Sequence, residues 1–211
     1  MSAQVHILNA SKRLTPFILL IEKSINETLK EIGDLILVTD VDIVVADNPK
    51  SAIPEIGVGG FAPTAHLIYI NIDPEYSGIE ERLSAEIRST LIHEFHHCAR
   101  AKVVGYGETL LEAMVSEGLA DHFELEITKE SPKPWDIAVR GEDLDRLEIK
   151  AKLEFNSNKY DHGLWFFGTN DSVIPRWAGY SLGFKIVGNY LKNNNKKASE
   201  LYGQKASMFL T

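Results

Sequence analysis

The sequence predicts an α+β fold, with strand-like segments gathered in the first third of the chain and helical patterns through the rest. β-Branched residues crowd residues 35–46, and residues 65–72 alternate as a strand does. From residue 79 onward, apolar residues recur at helical spacing. The 211 residues, 44% hydrophobic and 25% charged, suffice to bury a core without disulfides or structural metals. The expected organisation is a single domain over residues 1–211.

Thr15-Pro16 has the form of an N-cap followed by proline at the first helical position, so a helix is expected to about Ile32, stopping at Gly33. Residues 35–46 carry Leu35-Ile36-Leu37-Val38 and Val41-Asp42-Ile43-Val44-Val45 and predict one or two strands. Residues 56–63 hold Gly57, Gly59, Gly60 and Pro63 and predict a loop. Residues 65–72 predict a strand closed by Asp73-Pro74. Over residues 79–102, Leu83, Ile87, Leu91 and Phe95 recur every fourth position and mark the buried stripe of a helix. Further helices are expected over 108–128, ended by Pro132 and Pro134, over 142–154, and over 180–191; residues 160–175 are irregular and aromatic.

Charge and cysteine content exclude several classes. Lys and Arg number 22 against 30 Asp and Glu, a net charge of −8, which argues against a nucleic-acid or anionic-membrane partner. The single cysteine, Cys98, excludes an intrachain disulfide, and the start of the chain lacks the pattern of a secretory leader; both suit a cytoplasmic protein. The longest apolar run near the start, residues 17–21, is too short to span a bilayer.

The chemistry is concentrated in Leu91-Ile92-His93-Glu94-Phe95-His96-His97, which contains H-E-x-x-H. His93 and His97 stand one turn apart on one helix face, where two imidazoles can grip a single Zn²⁺. Glu94 is rotated toward the same side, placed to take a proton from a metal-bound water. That face also carries Glu86, Ser89 and Thr90 and lies away from the apolar stripe. Composition alone would yield such a motif roughly 0.02 times in a chain like this; the bland alternative is a charged helix with solvated histidines. His96 reads as a residue beside the site or as solvated, and Cys98 as a buried apolar residue.

A catalytic zinc needs a third protein ligand and an open fourth position. Glu117 falls on the same side of its helix as Leu110, Ala113, Met114 and Ala120, and a carboxylate on an apolar face must be paired or coordinated. Asp121, one turn on, is placed to accept the second ring N–H of a ligand histidine. The alternatives are a helix-face salt bridge for Glu117 and a surface charge for Asp121.

In this order, His93-Glu94-x-x-His97 then Glu117-x-x-x-Asp121 resembles the gluzincin metallopeptidases, the thermolysin-like branch. There the following helix supplies a glutamate ligand and an aspartate behind the ligands. The resemblance implies one Zn²⁺ per chain held by His93, His97 and Glu117, with Glu94 as base and Asp121 orienting a ligand histidine. It implies a zincin-like fold: a short N-terminal β-sheet, a metal-binding helix and a mostly helical C-terminal half. Over most of residues 55–192 the chain is similar to the small predicted Zn-dependent proteases of bacteria, through the strand 66–72, Ser116-Glu117-Gly118-Leu119-Ala120-Asp121, and Ala178-Gly179-Tyr180-Ser181-Leu182-Gly183. The large C-terminal lobe of thermolysin-like enzymes has no room here.

Peptide hydrolysis needs a donor for the developing oxyanion. Tyr180, opening the last helix, is the first candidate and His162 the second, with Tyr160 and Arg176 behind them; packed aromatic and loop histidine are their bland readings. The strand 65–72, with Leu67 and Tyr69, is a candidate peptide-binding edge, and Gly60 would let a ligand approach closely. Trp165-Phe166-Phe167 reads as core more readily than as a pocket wall, and His6, His66 and His122 receive no role. The expected function is a zinc metallopeptidase acting on a peptide or protein through a Glu-activated, zinc-bound water. The alternatives are a regulatory or scaffold protein that keeps a non-proteolytic metal site, a zinc hydrolase of a non-peptide amide, and an interaction module without metal.

Overall fold

The computed structural model describes residues 3–36, 39–168 and 174–210 of the chain. They form an α+β protein with a small mixed sheet and about half of its residues helical. The chain divides into two compact units, residues 1–102 and 103–211.

The first unit holds the sheet. Its strands are β1 (Ala3–Leu8), β2 (Val41–Asp47), β3 (Val58–Thr64) and β4 (Leu67–Ile72), in the order β1-β2-β4-β3. β1, β2 and β4 run parallel, and β3 joins β4 antiparallel with a register shift between Phe61 and Thr64. Period-two alternation sorts the side chains: Ile43, Val45, Ile68 and Ile70 are fully buried on one face. Helix α1 (Ile18–Ile32) makes the β1-to-β2 connection, and α2 (Ile79–Val103) follows β4. α1 and α2 are tied by Ser24 Oγ to Ser84 Oγ at 2.8 Å and by the paired bonds of Arg88 to Glu31.

Several expectations shift. β1 has no counterpart among the expected elements. Thr15-Pro16 opens a short 3₁₀ turn, Thr15–Phe17, before α1; Thr15 does not cap it and instead accepts a bond from Asn9 Nδ2 at 3.0 Å. Of residues 35–46 only Val41 onward is strand: the amides of Leu35 and Ile36 return to the Ile32 carbonyl as a turn, while Leu37 and Val38 lie outside the described residues. Residues 56–63, expected as a loop, contribute β3. Its glycines and proline are tolerated because it is an edge strand, where Pro63 breaks no ladder on the open side.

The second unit is helical: α3 (Leu110–Thr128), α4 (Gly141–Lys152) and α5 (Ala178–Asn194), with a π-helical turn at Gly163–Phe167. α3 starts at a full capping box, Thr109 accepting the Glu112 amide while Glu112 accepts the Thr109 amide. Trp165 and Phe166 are core as expected, and Phe167 is exposed. Residues 169–173 of the expected irregular segment lie outside the described residues.

α3 and α5 cross with their backbones in contact at two glycines. A Cβ on Gly183 would stand 2.1 Å from the Met114 carbonyl oxygen, and one on Gly118 would stand 2.3 Å from the Gly183 carbonyl oxygen. Backbone cannot yield as a side chain tip can, so the helices would have to separate. Gly183→Ala is expected to destabilise by about 3 kcal/mol, the upper range for overpacking. Calorimetry should show it as a fall of about 10 °C in melting temperature, and an unchanged melting temperature would refute this account of the crossing.

Among the described residues no helix is long and apolar enough to cross a membrane.

Candidate metal centre

α2 runs unbroken because no glycine or proline falls within it. Leu83, Ile87, Leu91 and Phe95 are all fully buried, as their spacing predicts. The polar face is buried too: Glu86, Ser89, Glu94 and His97 are each under 10% exposed. His96 is fully buried, which excludes its solvated reading. Cys98 is buried; its thiol points at the Thr64 carbonyl, 3.5 Å away, and burial pushes its pKa up to about 12. Such a thiol is neither nucleophile nor ready ligand, in keeping with its apolar reading.

The two motif histidines converge. His93 Nε2 and His97 Nε2 stand 3.0 Å apart, with their rings edge to face and 4.7 Å between centroids. Two ring nitrogens this close share either a proton or a cation. A tetrahedral zinc with bonds of about 2.0–2.1 Å would set them roughly 3.3 Å apart, so the pair fits a metal with little movement.

Glu94 is held against β3. A Cβ at Gly60 would stand 2.4 Å from Glu94 Oε1 and 2.5 Å from Thr90 Cγ2. Only glycine lets the strand pass this close over the carboxylate. Gly60 thus belongs beside the motif.

Leu67 and Tyr69 stand elsewhere. β4 lies between β2 and β3, so its main chain is paired on both sides and the expected peptide-binding edge is not there; the edge on that side of the sheet is β3. Gly60 faces Ile70 and Phe61 faces Tyr69 in register, so Tyr69 and Leu67 point to the sheet face opposite the one that meets Glu94. Tyr69 lines a cleft of about 390 Å³ there, with Asn48, Ser51, Gly60, Phe61 and Asn71.

In the second unit, α3 is buried from Leu110 almost continuously to Glu124, and Glu117 and Asp121 are buried within it. That rules out a surface charge at Asp121. Tyr106 donates its hydroxyl to Glu117 Oε1 in a short hydrogen bond. Burial, and then the Glu117 charge, push the Tyr106 phenol well above its ordinary pKa, so it stays a donor. The Glu117 charge is also felt at Tyr160 and His162, and Tyr180 lies within electrostatic reach of Tyr106. His162 stacks on Phe166 at 4.4 Å, Tyr180 meets the edge of that ring at 5.1 Å, and Tyr160 Oη lies 3.0 Å from His162 Nδ1. Burial pulls the His162 pKa down, which favours the neutral ring. The two donor candidates therefore fall in one cluster with Glu117. Arg176 instead lies over the Trp177 ring, 3.8 Å from its centroid.

Asp121 receives the Trp135 indole N–H at 3.4 Å and meets the side chain of Asp136. Tyr106, Trp135 and Asp136 have no place in the motif reading. Gly105-Tyr106-Gly107 just ahead of the capping box, and Trp135-Asp136 after the paired prolines, were the available signals. The histidines without a role have local partners: His6 with Asp42, His66 with the Asp40 carbonyl, and His122 with the Phe184 carbonyl.

Fold and motif together give an α+β protein with an H-E-x-x-H helix behind an edge strand. The chain belongs to the family described as predicted Zn-dependent protease (DUF2268), whose model matches residues 21–211. It is also similar to the uncharacterized protein YjaZ of Bacillus subtilis (strain 168), 28% identical over 131 residues, which is 59% of this chain and 49% of that protein. The chain thus spans about half the length of that curated relative. No solved structure matches.

Proposed function

We propose that the chain acts as one zincin-like metallopeptidase domain, in which His93, His97 and Glu117 hold a single Zn²⁺ and Glu94 serves hydrolysis of peptide bonds. The observation that carries the reading is the convergence of the two Nε2 atoms at 3.0 Å on a helix whose intervening glutamate is buried against a glycine of the edge strand. A purely structural metal site has no use for that glutamate. The family description, the order of the two helical motifs and the buried carboxylate of Glu117 support the same reading.

Zinc, when bound, lowers the pKa of water to about 7 and polarises a carbonyl. The chain's own groups do the rest. Glu94 accepts a proton from the attacking water and passes it to the leaving amine. Tyr106 fixes the rotation of the Glu117 carboxylate through Oε1. Asp121 accepts a ring N–H of a ligand histidine and so sets its tautomer. Tyr180, or the neutral His162 ring, supplies a hydrogen bond to the oxyanion. The free side of β3 takes the peptide main chain, with Gly60 as the close wall.

The test is elemental analysis of purified wild type beside Glu117→Ala. About one zinc per wild-type chain is expected, with the variant losing most of it, since a three-ligand site keeps little affinity on two. Equal zinc in both would remove Glu117 from the site, and no zinc in wild type after incubation with the metal would overturn the enzyme reading. Zinc bound without hydrolysis of any peptide in a broad library would turn the reading to a scaffold or a hydrolase of another amide.

A further inference from the structure

The loop from Pro132 to Val139 places a second aspartate against Asp121. Asp136 is 3% exposed and Asp121 is 2% exposed. The loop is pinned to α5 by Ser181, whose hydroxyl donates to the Trp135 carbonyl at 2.9 Å and accepts the Val139 amide at 3.2 Å. Asp136 Oδ2 accepts the Lys133 amide at 2.7 Å. Its other oxygen, Oδ1, is buried and meets no N–H or O–H donor among the described residues. What the Asp136 side chain does meet is the carboxyl of Asp121.

Two ionised carboxylates in contact out of water are strongly disfavoured. One proton between them removes the repulsion and gives Oδ1 a role. We propose that Asp136 is protonated in the folded protein and donates that proton to Asp121, so that the two side chains form a singly charged acid pair. Asp136 is then a positioning residue. With the Trp135 N–H on Oδ1 of Asp121, it fixes the orientation of the carboxylate that, on the reading proposed above, accepts from a ligand histidine. The charged groups facing Asp136 are Asp121 and Glu124 from α3 and Lys133 from its own loop; α5 contributes the neutral Ser181. Lys133 extends its ammonium to Glu124 at 3.5 Å. Burial first, then the Asp121 charge, push the Asp136 pKa up to about 10, which agrees with a retained proton.

Sign and window follow. The folded chain keeps a proton that the unfolded chain loses above the ordinary carboxylate range, so this group's contribution to stability declines steadily as pH rises toward 10. Asp136→Asn preserves the contacts without the proton: its carbonyl accepts the Lys133 amide and its NH₂ donates to Asp121. The expected result is that Asp136→Asn keeps the wild-type zinc content while its melting temperature gains on wild type by several degrees between about pH 5 and about pH 9. Infrared difference spectra of the full-length chain at neutral pH should show a buried protonated-carboxyl band that shifts in D₂O and is missing from Asp136→Asn. A wild-type spectrum without that band, or a melting difference that is flat or falls with pH, would overturn the proposal. Neither readout needs hydrolysis or bound metal, so a chain without zinc would overturn the metallopeptidase reading and leave the acid pair standing.

Discussion

Glu94→Gln is expected to lower peptide hydrolysis by about 10³-fold, within the range for loss of a general base, while zinc stays at the wild-type level. The substitution is isosteric and neutral, and Glu94 is not one of the proposed ligands, so the metal has no reason to leave. Glu94 is buried against the Gly60 backbone, and a glutamine fills the same space. The folded state should therefore survive, and the loss should fall on kcat, because the proton is transferred in the transition state. The measurement is kcat and KM on the best substrate of a fluorogenic peptide library, beside zinc content and melting temperature. Full activity in Glu94→Gln would remove Glu94 as the base, and the mechanism with it.

Gly60→Ala has the second-largest expected effect, and it acts through the same carboxylate. The added methyl would stand 2.4 Å from Glu94 Oε1 and 2.7 Å from Glu94 Cγ. The methyl would also stand 2.5 Å from Thr90 Cγ2, so a fall of about 1–3 kcal/mol in stability should accompany the change. The flexible partner must give way, and that partner is the proposed base. A displacement of about 1 Å at a reacting group costs on the order of 10²-fold in rate. The expectation is a fall of that size in kcat with zinc content unchanged, since the atoms nearest that methyl belong to Glu94 and Thr90 and not to the proposed ligands. A variant with wild-type kcat would show that Glu94 works from another position than the one pressed against β3.

The contrast between these substitutions shows where the sequence was informative. The H-E-x-x-H spacing on a helix places two imidazoles and a carboxylate on one side by periodicity alone, and nothing distant is needed to read it. The apolar stripe of α2 and the apolar setting of Glu117 were legible for the same reason, because each is a pattern within a few turns of one element. β3 was not legible. Gly59, Gly60 and Pro63 are turn formers by local propensity, and they become strand because β4 offers a ladder and α2 offers a surface that only a glycine can approach. The assignment of the edge failed with it: a strand's own sequence does not reveal whether a neighbour covers it.

The sequence by itself therefore determined the α+β class, the course of the long helices and the motif of the candidate metal centre, because these follow from short-range periodicity and residue chemistry. Tertiary structure alone decided which strand is the edge, that Gly60 lies on Glu94, that Tyr106 holds Glu117 and that Asp136 meets Asp121. Each is a contact between residues far apart in sequence or in different elements. Its energetics depend on burial and close approach, and no local pattern encodes them.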